Sequence, residues 1–269
     1  MKINPHKIFV IFIIVVCIAA VNLGVFFQLI KTDTKENKNN KKIDVAKLTE
    51  DFAEIFNNSI DYQDTKLNIQ KANSQKELVF ADYSKRETLE GYYEIEANIP
   101  QINITSENAT KINKEIKSLF QEKAISILSK RDIKYIYNVK YKAYLNDNIL
   151  SLAIMSTLKE GNNSQRIIVK TYNYNTASNE IMTLNQLLDY RNIESKNAQS
   201  KIDEVIKNAS NEAKTYQNLG YQKFVRNTED SMYKVENSKV FFVGQEKALY
   251  ILYPYGNSSY TSEIDIVII

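Results

Sequence analysis

Tryptophan is absent from this 269-residue chain, and it holds only one His, one Cys, three Pro and six Gly. The single His is His6 and the single Cys is Cys17. Everything beyond residue 17 therefore lacks a Ser–His or Cys–His nucleophile system, an imidazole or thiolate zinc site, and any disulfide. Six glycines are too few for a phosphate cradle, and neither GxxxxGK[ST] nor GxGxxG occurs. Calcium-loop spacing is missing too; Asn146-Asp147-Asn148 lacks the later ligands and reads as a turn. Excess charge of one sign is also lacking. Lys and Arg total 35 against 32 acids, a net charge of +3, which argues against the basic face that a nucleic-acid partner requires.

What is present begins with a membrane-type segment. From Ile8 to Ile30 the chain reads IFVIFIIVVCIAAVNLGVFFQLI, 23 residues without a charge. As a helix rising about 1.5 Å per residue it is slightly longer than a hydrocarbon core of about 30 Å. Ala19 and Ala20 could mark a signal-peptide cleavage, but the apolar run continues through Leu23, Val25, Phe26 and Phe27. An uncleaved anchor is therefore expected. A lipoprotein Cys17 is disfavoured because Val16 precedes it where a small residue is usual. Ala20 and Gly24 have the small-xxx-small spacing of helix dimers. The flanking lysines alone do not set the orientation, since large C-terminal domains translocate largely regardless of charge. The expected arrangement is a short cytoplasmic tail at 1–7, a transmembrane helix at 8–30 and a Lys/Asn-rich linker at 31–43. The C-terminal domain then lies outside the cytoplasm. As flexible coil, the linker holds the next element roughly 20 Å from the bilayer.

The remainder divides by pattern into a first unit, 44–190, and a second, 191–269. Val45, Leu48, Phe52, Ile55 and Phe56 predict a short amphipathic helix. Tyr93, Ile95, Ala97 and Ile99 alternate as a strand, and Pro100, lacking an N–H, is expected to end the ladder. Ala109, Ile112, Ile116, Leu119, Phe120, Ile127 and Leu128 form one helical stripe, capped by Thr105 or Ser106. Alternation at Tyr135–Ala143, Leu150–Ile154 and Ile167–Thr171, with polar turns between, predicts an antiparallel meander with one wet face. Thr183 and Gln186 fit a capping box. In the second unit, Ile202, Val205, Ile206, Ala209 and Ala213 mark a helix. Strands follow at Val240–Val243, Ala248–Tyr253 and Glu263–Ile269, with a type I turn at Tyr253-Pro254-Tyr255-Gly256. The fold class is α+β: antiparallel sheets covered by amphipathic helices, preceded by one N-terminal transmembrane helix.

Two side-chain classes remain as candidates for function. Paired carboxylates could serve a glycosidase, and Glu246, Glu263 and Asp265 qualify, although 32 acids make such pairs inevitable. Among 18 tyrosines, Tyr250, Tyr253, Tyr255 and Tyr260 gather near the C-terminus. Exposed Tyr can stack on sugars or anchor an interface, so Tyr253, Tyr255 and Tyr260 are the expected ligand-binding residues. No cofactor and no metal are expected.

The segments GYYEIEANIPQI, NATKINKEIKSLFQEKAISI, LNDNILSLAIMSTL, KTYNYNTASNEIMTLNQLL and FFVGQEKALYILYPYGNSSYTSEIDIVII cover most of residues 91–269. Together they resemble the exported ectodomain family of RsiV-like lysozyme-sensing anti-sigma factors and the N-terminal region of PdaC-like peptidoglycan deacetylases, largely domains of unknown function. The resemblance implies a fold and a place at a Gram-positive cell wall. It does not carry over sigma-factor binding, because only seven residues precede the apolar run, nor deacetylation, whose module and His ligands are missing. Family members often have Gly-Gly-Ala-His after the second strand; here Lys159-Glu160-Gly161-Asn162-Asn163 stands there. The expected function is a non-catalytic, membrane-anchored envelope protein that binds peptidoglycan or a wall-active protein such as lysozyme. The alternatives are an interaction subunit of a membrane complex and a carboxylate-only wall hydrolase.

Overall fold

The computed structural model describes residues 43–63, 69–259 and 261–269. The tail, the apolar run 8–30 and all but the end of the linker lie outside the described residues, as does Tyr260. Among the described residues no helix is long and apolar enough to cross a membrane.

Chain order begins with helix α1 (Val45–Glu50), where Asp44 accepts the Lys47 N–H as N-cap. A 3₁₀ turn carries it on, so that Leu48, Phe52 and Phe56 are buried while Val45 is exposed. Strand β1 (Ser59–Tyr62) and the long β2 (Val79–Leu89) precede β3 (Tyr93–Ile102). Pro100 does not end β3. A bulge between Ala81 and Tyr83 on β2 sits opposite it and absorbs the lost donor, and the ladder resumes to Ile102.

Helix α2 (Glu107–Ile116) opens on Ser106, whose Oγ accepts the Ala109 N–H at 3.0 Å. It passes through a π turn at Lys117–Gln121 into α3 (Glu122–Leu128). The wider turn departs from the 3.6-residue period that placed Leu119 on the buried stripe. Phe120 goes inward at 3% exposure and Leu119 goes outward at 48%. The stripe otherwise lies on the sheet, each buried Ile or Phe contributing about 1.5–3 kcal/mol.

Strands β4 (Tyr135–Asn146), β5 (Ile149–Glu160) and β6 (Arg166–Asn175) form the expected antiparallel meander, with the short β7 (Glu180–Ile181) at its edge. The seven-stranded sheet has the order β2-β3-β4-β5-β6-β7. Both β3 and β1 pair with β4 in parallel, β3 along its first half and β1 along its second. Parallel pairing follows from the α2–α3 crossover between β3 and β4. Lys142 of β4, 3% exposed, ties β1 in place through Asp61 at 2.8 Å and Ser59 Oγ at 2.9 Å.

The meander has a wet second face only over the start of β4 and the neighbouring end of β5 and start of β6. From Lys142 onward β4 is buried on both sides, because a second sheet covers it. After the capping box of Thr183 and Gln186 comes α4 (Leu184–Tyr190), then the 24-residue α5 (Ser195–Asn218). Strands β8 (Phe241–Val243), β9 (Leu249–Pro254) and β10 (Ile264–Ile268) form an antiparallel sheet ordered β10-β9-β8. Pro254 is the last residue of β9, and a short helix, α6 (Gly256–Ser259), starts two residues later where a β-turn was expected.

The free edge of β8 docks on the face of the large sheet through four buried polar side chains. Phe241 N–H donates to Thr171 Oγ1 and Val243 N–H to Ser151 Oγ. The carbonyls of Phe241 and Val243 accept from Asn173 Nδ2 and Asn146 Nδ2. Side chains thus complete an edge ladder that another strand would otherwise complete. Tyr144, Phe242 and Tyr250 stack across this junction with centroids 6.2 and 4.6 Å apart. Helices α4 and α5 cover the opposite face of the small sheet, in a core that includes Ile149, Leu187, Ile202 and Tyr255. Residues 43–269 form one compact unit that spans both expected units, 44–190 and 191–269.

Candidate functional site

Helix α5 lays Ile202, Ile206, Ser210 and Ala213 against the small sheet. The helix ends in a Schellman turn. Gly220, at φ +88°, supplies the left-handed residue. Its N–H reaches Gln217 O, and the Tyr221 N–H reaches Tyr216 O. That turn sets the Tyr221 ring edge-on to Tyr216, with centroids 6.0 Å apart. Tyr216, Leu219 and Tyr221 are 39%, 68% and 62% exposed.

The chain then returns beneath the helix. Ser210 Oγ donates to Arg226 O, and the Phe224 N–H donates to Glu263 Oε1. The Arg226 guanidinium forks onto Asp265, Nε to Oδ2 at 2.9 Å and Nη2 to Oδ1 at 2.8 Å. Its Nη1 donates to Glu263 Oε2 at 3.0 Å and also to Phe224 O. Arg226 and Asp265 are each 7% exposed, so this is a buried, bidentate, charge-assisted pair. Burial pulls the guanidinium pKa down, but the bond to Asp265 outweighs it and the net direction is upward.

Tyr255 donates its hydroxyl to Asp265 Oδ2 at 2.6 Å and shares a 2.9 Å bond with the Tyr233 hydroxyl. Its phenol is driven far above the ordinary value, first by burial and then by the Asp265 charge. Tyr253 bonds Ser238 Oγ at 2.8 Å, and burial pushes it up to about 12.

Above this floor lies a cleft of about 400 Å³. Its lining includes Glu212 and Tyr216 of α5, Lys223 and Arg226 of the segment that follows, and Ser262, Glu263 and Asp265 at the start of β10. The Lys223 ammonium sits 5.7 Å from the Tyr216 ring centroid. Among the described residues Glu212 and Lys223 have no oppositely charged partner, and the Tyr216 and Tyr221 hydroxyls make no hydrogen bond. Charges of both signs meet here over a floor that is already saturated.

The structure therefore redistributes the expected residues. Tyr253 and Tyr255, at 3% and 1% exposure, are core side chains that present no ring to a ligand. Strand alternation turned them inward between the small sheet and α5. Glu263 and Asp265 do come together, but on Arg226, which holds both carboxylates as a salt-bridged anchor. Glu246 is at the β8–β9 turn, at φ +54°, and does not line the cleft. Sequence reasoning missed Tyr216, Tyr221 and Arg226. The available signal was Leu219-Gly220 just after the α5 stripe, which marks a helix end and its paired C-terminal side chains. Among the described residues no group of three or more His, Cys, Asp or Glu could hold a metal ion.

No protein-family model matches this chain, and no curated protein matches it. Among solved structures, the chain is similar to a DUF3298 family protein from Pseudomonas aeruginosa PAO1. The TM-score is 0.38 at 11% identity, over 67% of this chain and 82% of that one. It is also similar to a DUF3298 family member from Bacteroides fragilis NCTC 9343, with a TM-score of 0.29 at 11% identity, over 65% and 79% of the two chains. At these values neither neighbour bears on function.

Proposed function

We propose that this chain is a non-catalytic binding protein of the cell envelope. Residues 8–30 anchor it in the membrane and the domain from residue 43 onward lies outside the cytoplasm. Its partner is a wall component or a wall-active protein of the lysozyme kind. The observation that carries the binding reading is the contrast within the cleft. Glu263 and Asp265 are locked on Arg226, whereas the exposed Tyr216 ring is presented beside Glu212 and Lys223, which have no oppositely charged partner among the described residues. A hydrolytic pair needs one carboxyl free to carry a proton at the working pH, and a saturated Arg salt bridge opposes that. The charge-free 23-residue run and the resemblance of residues 91–269 to wall-associated ectodomains support the location.

The test takes the full chain in lipid nanodiscs. It combines calorimetric titration with lysozyme and cosedimentation with purified wall sacculi. Binding to either at micromolar strength, with the glycan left intact, is the expected result. Turnover of glycan by the pure protein, or no binding to either partner, overturns the proposal.

A further inference from the structure

The unpaired rim of the cleft has a chemistry of its own. Its charges are mixed: Glu212, Glu263 and Asp265 stand against Lys223 and Arg226, an excess of one negative charge, which opposes a polyanion and is too small to select a polycation. Apolar lining is limited to Ala209, Ala213, Ile264 and the Tyr216 ring, which leaves no channel for an acyl chain. An exposed ring with the Lys223 ammonium over it, beside the Glu212 carboxylate and the Ser262 hydroxyl, is a donor–acceptor frame around an aromatic face, which a sugar reaches by taking the place of the ammonium. Pyranose sugars match it, with C–H faces for the ring and hydroxyls for the polar groups. A volume of about 400 Å³ is within the range of small-molecule sites.

We infer that the cleft between the C-terminal half of α5 and the start of β10 is a saccharide site that takes a neutral oligosaccharide. Tyr216 is the stacking platform, and Tyr221 braces it edge-on. Glu212, Lys223 and Ser262 meet the sugar hydroxyls. Arg226 does not touch the sugar; it is a positioning residue, because its hold on Glu263 and Asp265 fixes one wall of the cleft. The inference rests on the binding reading above and names the ligand class of that same site.

The experiment uses the full chain in nanodiscs and tetra-N-acetylchitotetraose as the probe, read by calorimetry and by tyrosine emission, which no Trp masks. Saturable binding is expected, weakened about tenfold by Tyr216→Ala and preserved by Tyr216→Phe, since the ring and not the hydroxyl does the stacking. Tyr216→Ala also loosens the end of α5. The decisive variant is therefore Glu212→Gln, on an exposed side chain with no oppositely charged partner among the described residues, which is expected to weaken binding severalfold with unchanged melting. No saturable binding, or binding that neither Tyr216→Ala nor Glu212→Gln alters, overturns the inference. Lysozyme binding without oligosaccharide binding overturns this inference alone and leaves the broader reading standing. Failure with both ligands and with sacculi removes both.

Discussion

Replacing Arg226 with Met keeps an unbranched stem but removes the guanidinium, whose carbon lies 5.9 Å from the Phe224 ring centroid and 5.1 Å from that of Tyr255. Asp265, 7% exposed, would then keep one donor, the Tyr255 hydroxyl, where it now has three hydrogen bonds. Glu263 would lose one of its two. Breaking a buried pair by deleting one partner strands a charge in low dielectric and costs about 3–5 kcal/mol. That is a large part of the 5–15 kcal/mol that stabilises a typical domain. In urea, with an m-value of about 2 kcal/mol/M, the unfolding midpoint of residues 43–269 falls by about 2 M at pH 7. Adding Asp265→Leu to Arg226→Met removes the charge permanently, and most of the lost stability returns. A loss under about 1 kcal/mol, or a double variant no more stable than Arg226→Met alone, would refute the claim that this pair is buried and mutually dependent.

Three further outcomes follow from separate parts of the fold. A Cβ on Gly256 would stand 2.2 Å from Ile167 O, so Gly256→Ala forces the α6 turn away from β6 and costs about 1–3 kcal/mol, measurable as lower melting. Asn173→Val orphans the Phe241 carbonyl and takes the acceptor from Ser151 Oγ, at about 1–3 kcal/mol per stranded group, and hydrogen exchange should quicken at β8 before the large sheet. Burial pushes Tyr250 and Tyr253 up to about 12 from 10.0, so their folded state favours the neutral phenol. The stability they contribute is intact below pH 10 and is lost as pH rises through 12, so ultraviolet titration should show a late tyrosine step that coincides with unfolding. Titration of every tyrosine near 10 in a still-folded protein would contradict their burial.

Periodicity made most of the framework legible. The β4–β6 alternation, the capping box at Thr183 and the Ser106 cap depend on contacts a few residues apart, and sequence spacing encodes such contacts directly. Three features were not legible, two of them because they depend on distant chain and one because a π turn breaks the helical period locally. The Pro100 ladder survives because of a bulge on β2, and the Leu119 position is reset by a π turn. Burial of the second face of β4 needs a sheet formed a hundred residues later. β2 itself reads as polar because it is an edge strand with Lys85, Arg86 and Glu87 along it, the charges that discourage a further strand from adding.

The same physics explains why the site moved from the C-terminal tyrosines to the end of α5. A strand buried on both faces needs large apolar side chains at successive positions, and Tyr supplies them, at a cost where its hydroxyl finds no partner, as at Tyr250. Tyr253 has Ser238, and Tyr255 has Asp265 and Tyr233. The density of Tyr250, Tyr253 and Tyr255 in the sequence is therefore the mark of a core. Tyr216 and Tyr221 are sparse in the sequence, and a helix-ending glycine leaves them facing water with their hydroxyls unbonded. Exposure and unmet hydrogen bonding, rather than the number of aromatic residues in a window, separate a ring available to a ligand from one the fold has used. By that criterion the cleft under Tyr216 outranks every cluster visible in the sequence.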